Sequence, residues 1–148
     1  MQVCQLRWTC NDEFIIASVN DKSVKVFDAR NGKVVHVLKG HTNQVFCISC
    51  SSFDPYLIVT GCHDGLIFCW DIKTGQQLFK FKNKTGVNLD ENGAIHALSL
   101  TPDDSLSLVA ADSHGNVLFF SFGLPRPCYS HIPEQVIPYF NHIFILPL

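Results

Sequence analysis

A chain of 148 residues is long enough for one domain with its own core, and at 16% charged and 47% hydrophobic it is more apolar than soluble domains averaging about 25% charge. A formal net charge of −2 supplies no positive field for phosphates, which excludes non-specific binding to DNA, RNA or acidic lipid. No apolar stretch approaches the roughly 20 residues of a membrane span, and Met1 to Trp8 lacks the basic-then-apolar order of a secretory signal, so a nuclear or also cytoplasmic setting is expected.

In chain order, short runs of β-branched and aromatic residues alternate with polar or glycine-containing turns. Strands are predicted at 3–8, 14–18, 23–28 and 33–38, then at 44–49, 56–60, 66–70 and 77–82, and then at 94–99, 105–110 and 116–121. No helical periodicity runs beyond a turn or two. Asp54-Pro55 and Pro102-Asp103-Asp104 combine a fixed proline φ with carboxylates for local backbone bonds, while Asn31-Gly32 and Thr74-Gly75 suit tight hairpins. The polar stretch at 83–93 reads as a surface insertion, which costs little because closure entropy grows slowly with loop length.

Seven cysteines, an odd number without the spacing of a disulfide scaffold, read as reduced thiols. Cys47-Ile48-Ser49-Cys50 has the spacing of a redox pair or half a zinc site. It falls in a predicted strand, however, where residues three apart point to opposite faces, so the two sulfurs are expected as packed small side chains. The histidines at 36, 63, 96, 114, 131 and 142 show no pair spacing suited to zinc on a helix. Neither a metal nor a cofactor is predicted.

Sliding the sequence along itself exposes the organising feature. Asn20-Asp21-Lys22-Ser23-Val24-Lys25-Val26-Phe27-Asp28 recurs 43 residues later as His63-Asp64-Gly65-Leu66-Ile67-Phe68-Cys69-Trp70-Asp71. A third copy, Ser113-His114-Gly115-Asn116-Val117-Leu118-Phe119-Phe120-Ser121, follows after a further 50. Repeats of about 40–45 residues with a Gly-His and a Trp-Asp mark WD repeats, and Gly40-His41 through Trp70-Asp71 resembles a complete one between two degenerate copies. The resemblance implies an all-β fold, a partial WD40 β-propeller of about three four-stranded antiparallel blades. The first blade is placed at 1–40, the second, with the complete signature, at 41–83, the third, with its insertion, at 84–123, and a partly strand-like tail at 124–148. Propellers have about four to eight blades, so three cannot close a ring. The open edges are expected to be covered by remaining blades or by self-association.

The resemblance also implies a buried network in the second copy, in which the Trp70 indole donates to Thr60, the hydroxyl meets His41, and the imidazole donates to Asp64. At the positions equivalent to Thr60, Asp64 and Trp70 the first copy has Ala17, Asp21 and Phe27, and the third has Ala110, His114 and Phe120, so apolar packing is expected to replace the network there. His41, Thr60 and Asp64 are also the residue types of a hydroxyl-nucleophile triad. Nothing resembles a strained nucleophile turn or an oxyanion hole, and Trp70 completes a structural set, so no catalytic residue is assigned and the chain is expected not to be an enzyme.

A closer likeness covers Ser51-Ser52-Phe53-Asp54-Pro55-Tyr56, Gly61-Cys62-His63-Asp64-Gly65 and the run from Asp112 to Gly123. These segments are similar to the amino-terminal WD-repeat region of the bromodomain and WD-repeat-containing proteins, the pleckstrin-homology-domain-interacting protein group. Ile132 to Val136 and Pro138-Tyr139-Phe140 continue the likeness. Asn141 to Leu148 departs from it, as a truncated or alternative terminus would. The resemblance implies a chromatin-linked interaction scaffold with roles in transcription regulation, cell shape, cytoskeletal organisation and ubiquitin-ligase substrate recruitment, or a truncated form competing with a longer one. Acetyl-lysine binding belongs to bromodomains and does not carry over.

Phe27-Asp28-Ala29-Arg30 and Trp70-Asp71-Ile72-Lys73 resemble degenerate copies of the Trp-Asp-x-Arg box. With that box, WD-repeat substrate receptors of cullin-RING ubiquitin ligases contact the damaged-DNA-binding adaptor. Asp28, Arg30, Asp71 and Lys73 are therefore candidate adaptor-binding residues, the lysine copy being weaker because it lacks the planar two-pronged donor of arginine. An Asp-x-Arg after a strand is equally an ordinary turn.

Overall fold

The computed structural model describes residues 2–83, 93–102, 107–121 and 144–147. The described elements are strands: β1 (Val3–Trp8), β2 (Phe14–Val19), β3 (Val24–Asp28), β4 (Val34–Leu38), β5 (Val45–Cys50), β6 (Leu57–Cys62), β7 (Leu66–Asp71), β8 (Gln76–Lys82), β9 (Ile95–Leu100), β10 (Ser107–Asp112), β11 (Asn116–Ser121) and β12 (Phe144–Pro147). They pair antiparallel into three four-stranded sheets, β1-β2-β3-β4, β5-β6-β7-β8 and β9-β10-β11-β12. These are three blades of a β-propeller, and the predicted strands fall within two residues of those observed. The third blade differs from expectation in its last strand, which comes from Phe144–Pro147 at the far end of the tail, paired with Asn116 to Phe119.

Strand alternation sends each blade's side chains to two faces, and neighbouring blades bury those faces against each other. Blade 1 turns Ile16, Val24, Val26 and Leu38 toward Ile48, Ile58, Phe68 and Trp70 of blade 2, which form one core. Blade 2 turns Cys47, Val59, Ile67 and Cys69 toward Ile95, Leu108, Ala110, Leu118 and Phe120 of blade 3, which form a second. Every residue of β6 is consequently buried, and so is β7 up to Trp70. At Gly61 the two sheets approach so closely that a Cβ would lie 2.7 Å from both Cys47 Sγ and Ile95 Cγ2.

The hairpins after β3 and β7 share one construction. Gly32 and Gly75 take left-handed φ of 70° and 74°, and their amides bond the carbonyls of Asp28 and Asp71 at 2.8 Å. Without a Cβ, glycine adopts that conformation at little cost. Ala29 N donates to Glu13 O at 2.9 Å and Ile72 N to Tyr56 O at 2.8 Å, tying each hairpin to the turn before β2 or β6. Both hairpins therefore lie at the same end of the propeller.

Candidate functional site

Thr60 on β6 and Trp70 on β7 project into the seam between blades 1 and 2, and His41 reaches them from the link between β4 and β5. Trp70 Nε1–H donates to Thr60 Oγ1 at 2.9 Å, and His41 Nε2 lies 2.7 Å from the same oxygen. The hydroxyl has one proton and one further partner, so it donates to Nε2 and leaves the ring proton on Nδ1. Phe68 meets His41 edge-on at 4.4 Å between ring centroids and stacks on Trp70 at 5.3 Å. Burial pushes the His41 pKa down to about 4 against an opposing pull from Asp64, with Lys80 adding to the fall, so the imidazole is neutral at pH 7.

The fourth member of the expected network is not joined to it. Asp64 accepts hydrogen bonds from Thr42 Oγ1, Cys62 Sγ and, at 3.3 Å, Leu66 N. His41 Nδ1 is buried without a hydrogen-bond partner. The carboxylate instead takes its bonds from the turn after β6 and from the residue next to His41. Burial works against the charge on Asp64, but the bonds from Cys62 and Thr42 outweigh it and hold the carboxyl below its ordinary range. The structure thus brings His41, Thr60 and Trp70 together, while Asp64 bonds to Thr42 and within its own turn.

Thr60 is 0% exposed, so no substrate reaches its hydroxyl and the triad has no access to chemistry. Ala110 and Phe120 pack into the second seam, Phe120 lying 5.4 Å from the Phe81 ring. Ala17 is buried and Phe27 half-buried in blade 1.

Blade 3 carries a different polar centre that sequence reasoning missed. Asp112 is buried and accepts from His114 N and Asn116 N at 2.9 Å, and from Asn83 Nδ2 and Asn116 Nδ2 at 3.0 Å. Asn83 Nδ2 also donates to Gly93 O at 3.1 Å, which fastens the two ends of the insertion together. A Cβ at Gly93 would come within 2.8 Å of Asn83 Nδ2 and Asp112 Oδ2. The available signal was the shift of the aspartate by two places: Asp112 stands where the second copy has Cys62, and His114 where it has Asp64.

The two aspartates of the boxes are consumed by their own turns. Asp28 accepts from Arg30 N at 2.8 Å and Asn31 Nδ2 at 2.9 Å, and Asp71 from Lys73 N at 2.8 Å and Thr74 Oγ1 at 2.9 Å. What each turn presents outward is the cation. Arg30 pairs with Glu13 at 3.2 Å with 78% of its side chain exposed, and Lys73 Nζ lies 5.4 Å over the Tyr56 ring. Cys47 and Cys50 face opposite seams, burial pushes both thiols up to about 12, and among the described residues no group of three or more His, Cys, Asp or Glu could hold a metal.

Residues 32–71, from the end of blade 1 to Trp70-Asp71, match the family described as WD domain, G-beta repeat. The chain is thus a partial WD40 β-propeller with a WD40 repeat at its centre.

Its relatives are of several kinds. It is 26% identical over 117 residues to Activating molecule in BECN1-regulated autophagy protein 1B of Danio rerio, covering 78% of this chain and 8% of that protein. It is 29% identical over 75 residues to the Denticleless protein homolog of Gallus gallus, covering 51% and 10%. A bromodomain and WD repeat-containing protein of Dictyostelium discoideum is 31% identical over 74 residues, covering 50% and 3%. The chain spans about a tenth or less of the length of these three relatives. Among solved structures, the Cps50 (Swd1) β-propeller domain of Myceliophteria thermophila superposes with a TM-score of 0.74 at 15% identity, over 98% of this chain and 39% of that one. A chain of the mitotic checkpoint complex gives 0.68 at 20% identity, over 81% and 35%.

Proposed function

We propose that the chain is a non-catalytic protein-interaction scaffold whose docking end is the one carrying the Arg30 and Lys73 turns. The observation that carries this reading is the repetition: two neighbouring blades use the same aspartate-capped hairpin to hold a cation outward at the same end. Sheets packed on both sides keep such turns rigid, so little order is lost when a partner binds. The partner class is a protein with an acidic surface, and the likeness to the Trp-Asp-x-Arg box makes the damaged-DNA-binding adaptor of cullin-RING ligases its leading member. The bromodomain-containing relative supports a nuclear, chromatin-linked setting, with transcription regulation, cell shape and cytoskeletal organisation as the processes served.

Pull-down of the purified adaptor by Arg30→Ala tests the docking end. Loss of recovery is expected, with a smaller loss for Lys73→Ala because lysine makes only a point contact. Unchanged recovery by both variants removes the adaptor reading. A reagent that labels activated hydroxyls should modify no single residue; specific labelling would point to an enzyme instead.

A further inference from the structure

We infer that Asn31 is a deamidation site gated by its own hairpin: the reaction waits for the turn after β3 to open, and the acid it leaves keeps that turn from closing again. The inference does not depend on what the Arg30 turn binds.

The chemistry is set by two neighbouring residues. The Asn31 side-chain carbonyl carbon is an electrophile, and the backbone nitrogen of Gly32 is a nucleophile once a solvent base removes its proton. That nitrogen bonds Asn31 Cγ to close a cyclic imide, and the side-chain nitrogen leaves as ammonia, taking a proton from water. Water then opens either carbonyl to give aspartate or its β-linked isomer, so amide plus water becomes acid plus ammonia with no other reactant. Both residues are exposed, and a Cβ built on Gly32 would meet nothing within 4 Å, so solvent reaches the reacting atoms. The matching hairpin of blade 2 has Thr74 before a Gly75 whose built Cβ would lie 2.7 Å from His36 Nδ1. Thr74 Oγ1 makes to Asp71 Oδ2 the bond that Asn31 Nδ2 makes to Asp28 Oδ2, each at 2.9 Å, without an electrophilic carbon. The hairpin therefore does not require the amide.

Geometry supplies the gate. In the closed hairpin Gly32 N–H donates to Asp28 O at 2.8 Å, Asn31 Nδ2 to Asp28 Oδ2 at 2.9 Å, and Lys33 N to Asn31 Oδ1 at 2.8 Å. The nucleophile, the leaving group and the carbonyl oxygen are each held, and the nitrogen attacks Cγ only after letting go of Asp28. Conversion then puts a second carboxylate oxygen where a donor stood 2.9 Å from Asp28 Oδ2, and like charges so close repel. The β-linked isomer also adds a methylene to a backbone whose span is fixed by the bond from Asp28 N to Lys33 O at 2.9 Å. Either product loosens the hold of Asp28, which caps Arg30 N at 2.8 Å. The turn that carries Arg30 is thus released in one direction only.

Incubating the 148-residue chain at pH 8, folded and in guanidinium chloride, and mapping peptides for conversion at Asn31 tests the gate. Conversion at least about tenfold slower in the folded chain is expected, since it proceeds from the opened turn. Hydrogen exchange of the Gly32 and Arg30 amides, followed by NMR, tests the release. Both should exchange slowly in the unaltered chain and in Asn31→Thr, which copies blade 2. In Asn31→Asp both should exchange several times faster, although a neighbouring negative charge by itself slows amide exchange. Protection of the buried Cys69 thiol reports that each variant is folded; if Asn31→Asp exposes it, the exchange is read on chain converted by incubation. Equal conversion rates with and without denaturant overturn the inference. So does an unfolded chain that fails to convert, or an acid-bearing turn whose Gly32 amide exchanges as slowly as the unaltered one.

Discussion

Replacing Thr60 with Val keeps the side-chain shape and removes the hydroxyl on which Trp70 Nε1 and His41 Nε2 converge. All three side chains are buried, at 0%, 1% and 7% exposure for Thr60, Trp70 and His41, so water cannot replace the lost partner without opening the seam. An unpaired buried polar group costs about 1–3 kcal/mol, and the added methyl recovers part of the cost of the two created here, giving an expected net loss of about 2–4 kcal/mol. In a Trp70→Phe background the same substitution strands only the imidazole, so the loss should shrink to about 1–2 kcal/mol and the pair should be coupled by a similar amount. Blades 1 and 3 already use that apolar solution, with Ala17 beside Phe27 and Ala110 beside Phe120. Urea titrations read by reaction of the buried thiols Cys47, Cys62 and Cys69 give all four free energies of the cycle. A Thr60→Val loss below about 0.5 kcal/mol, or one that is the same with Trp or Phe at position 70, refutes the reasoning.

Acid should act through His41: its pKa of about 4 in the fold lies below the unfolded 6.5, so its contribution is complete above pH 6.5 and falls by about 3 kcal/mol as pH drops to 4. Asp64, with its carboxyl held below the ordinary 3.8, loses its contribution only below that window, so denaturation series at stepped pH in His41→Gln should lack the slope between 6.5 and 4. Gly61→Ala should cost about 1–3 kcal/mol by wedging blades 2 and 3 apart against Cys47 and Ile95, measured as a lower urea midpoint. Peptide mapping after brief alkylation at pH 8 should find Cys4 and Cys10 modified and Cys47, Cys62 and Cys69 intact, because burial pushes the last three up to about 12.

The blade plan was legible because it is written in period-two alternation and in turn chemistry, both local. In the structure that alternation puts Val59, Ile67 and Cys69 on one face of blade 2 and Ile58, Phe68 and Trp70 on the other. The Trp70 to Thr60 bond was legible only through the resemblance to a complete WD repeat, which implies it. What failed depended on competition among neighbours. His41 and Asp64 sit at suitable spacing, but the Asp64 carboxylate bonds Thr42 and Cys62, and neither partner follows from the repeat pattern. The Asp112 centre escaped because its aspartate is displaced by two places, and β12 escaped because its pairing partner lies far back in the sequence at β11. The assignments at 84–92 and at 122–143, including the continued likeness at Ile132 to Val136, lie outside the described residues.

Hydrogen exchange of the Trp70 indole N–H, followed by NMR in a Trp8→Phe variant where it is the sole indole, tests most directly whether a buried hydroxyl holds it within the seam. Exchange slowed to the rate of global unfolding is the predicted result. Exchange at the rate of a free indole in native buffer would mean that the seam between blades 1 and 2 is not closed around it.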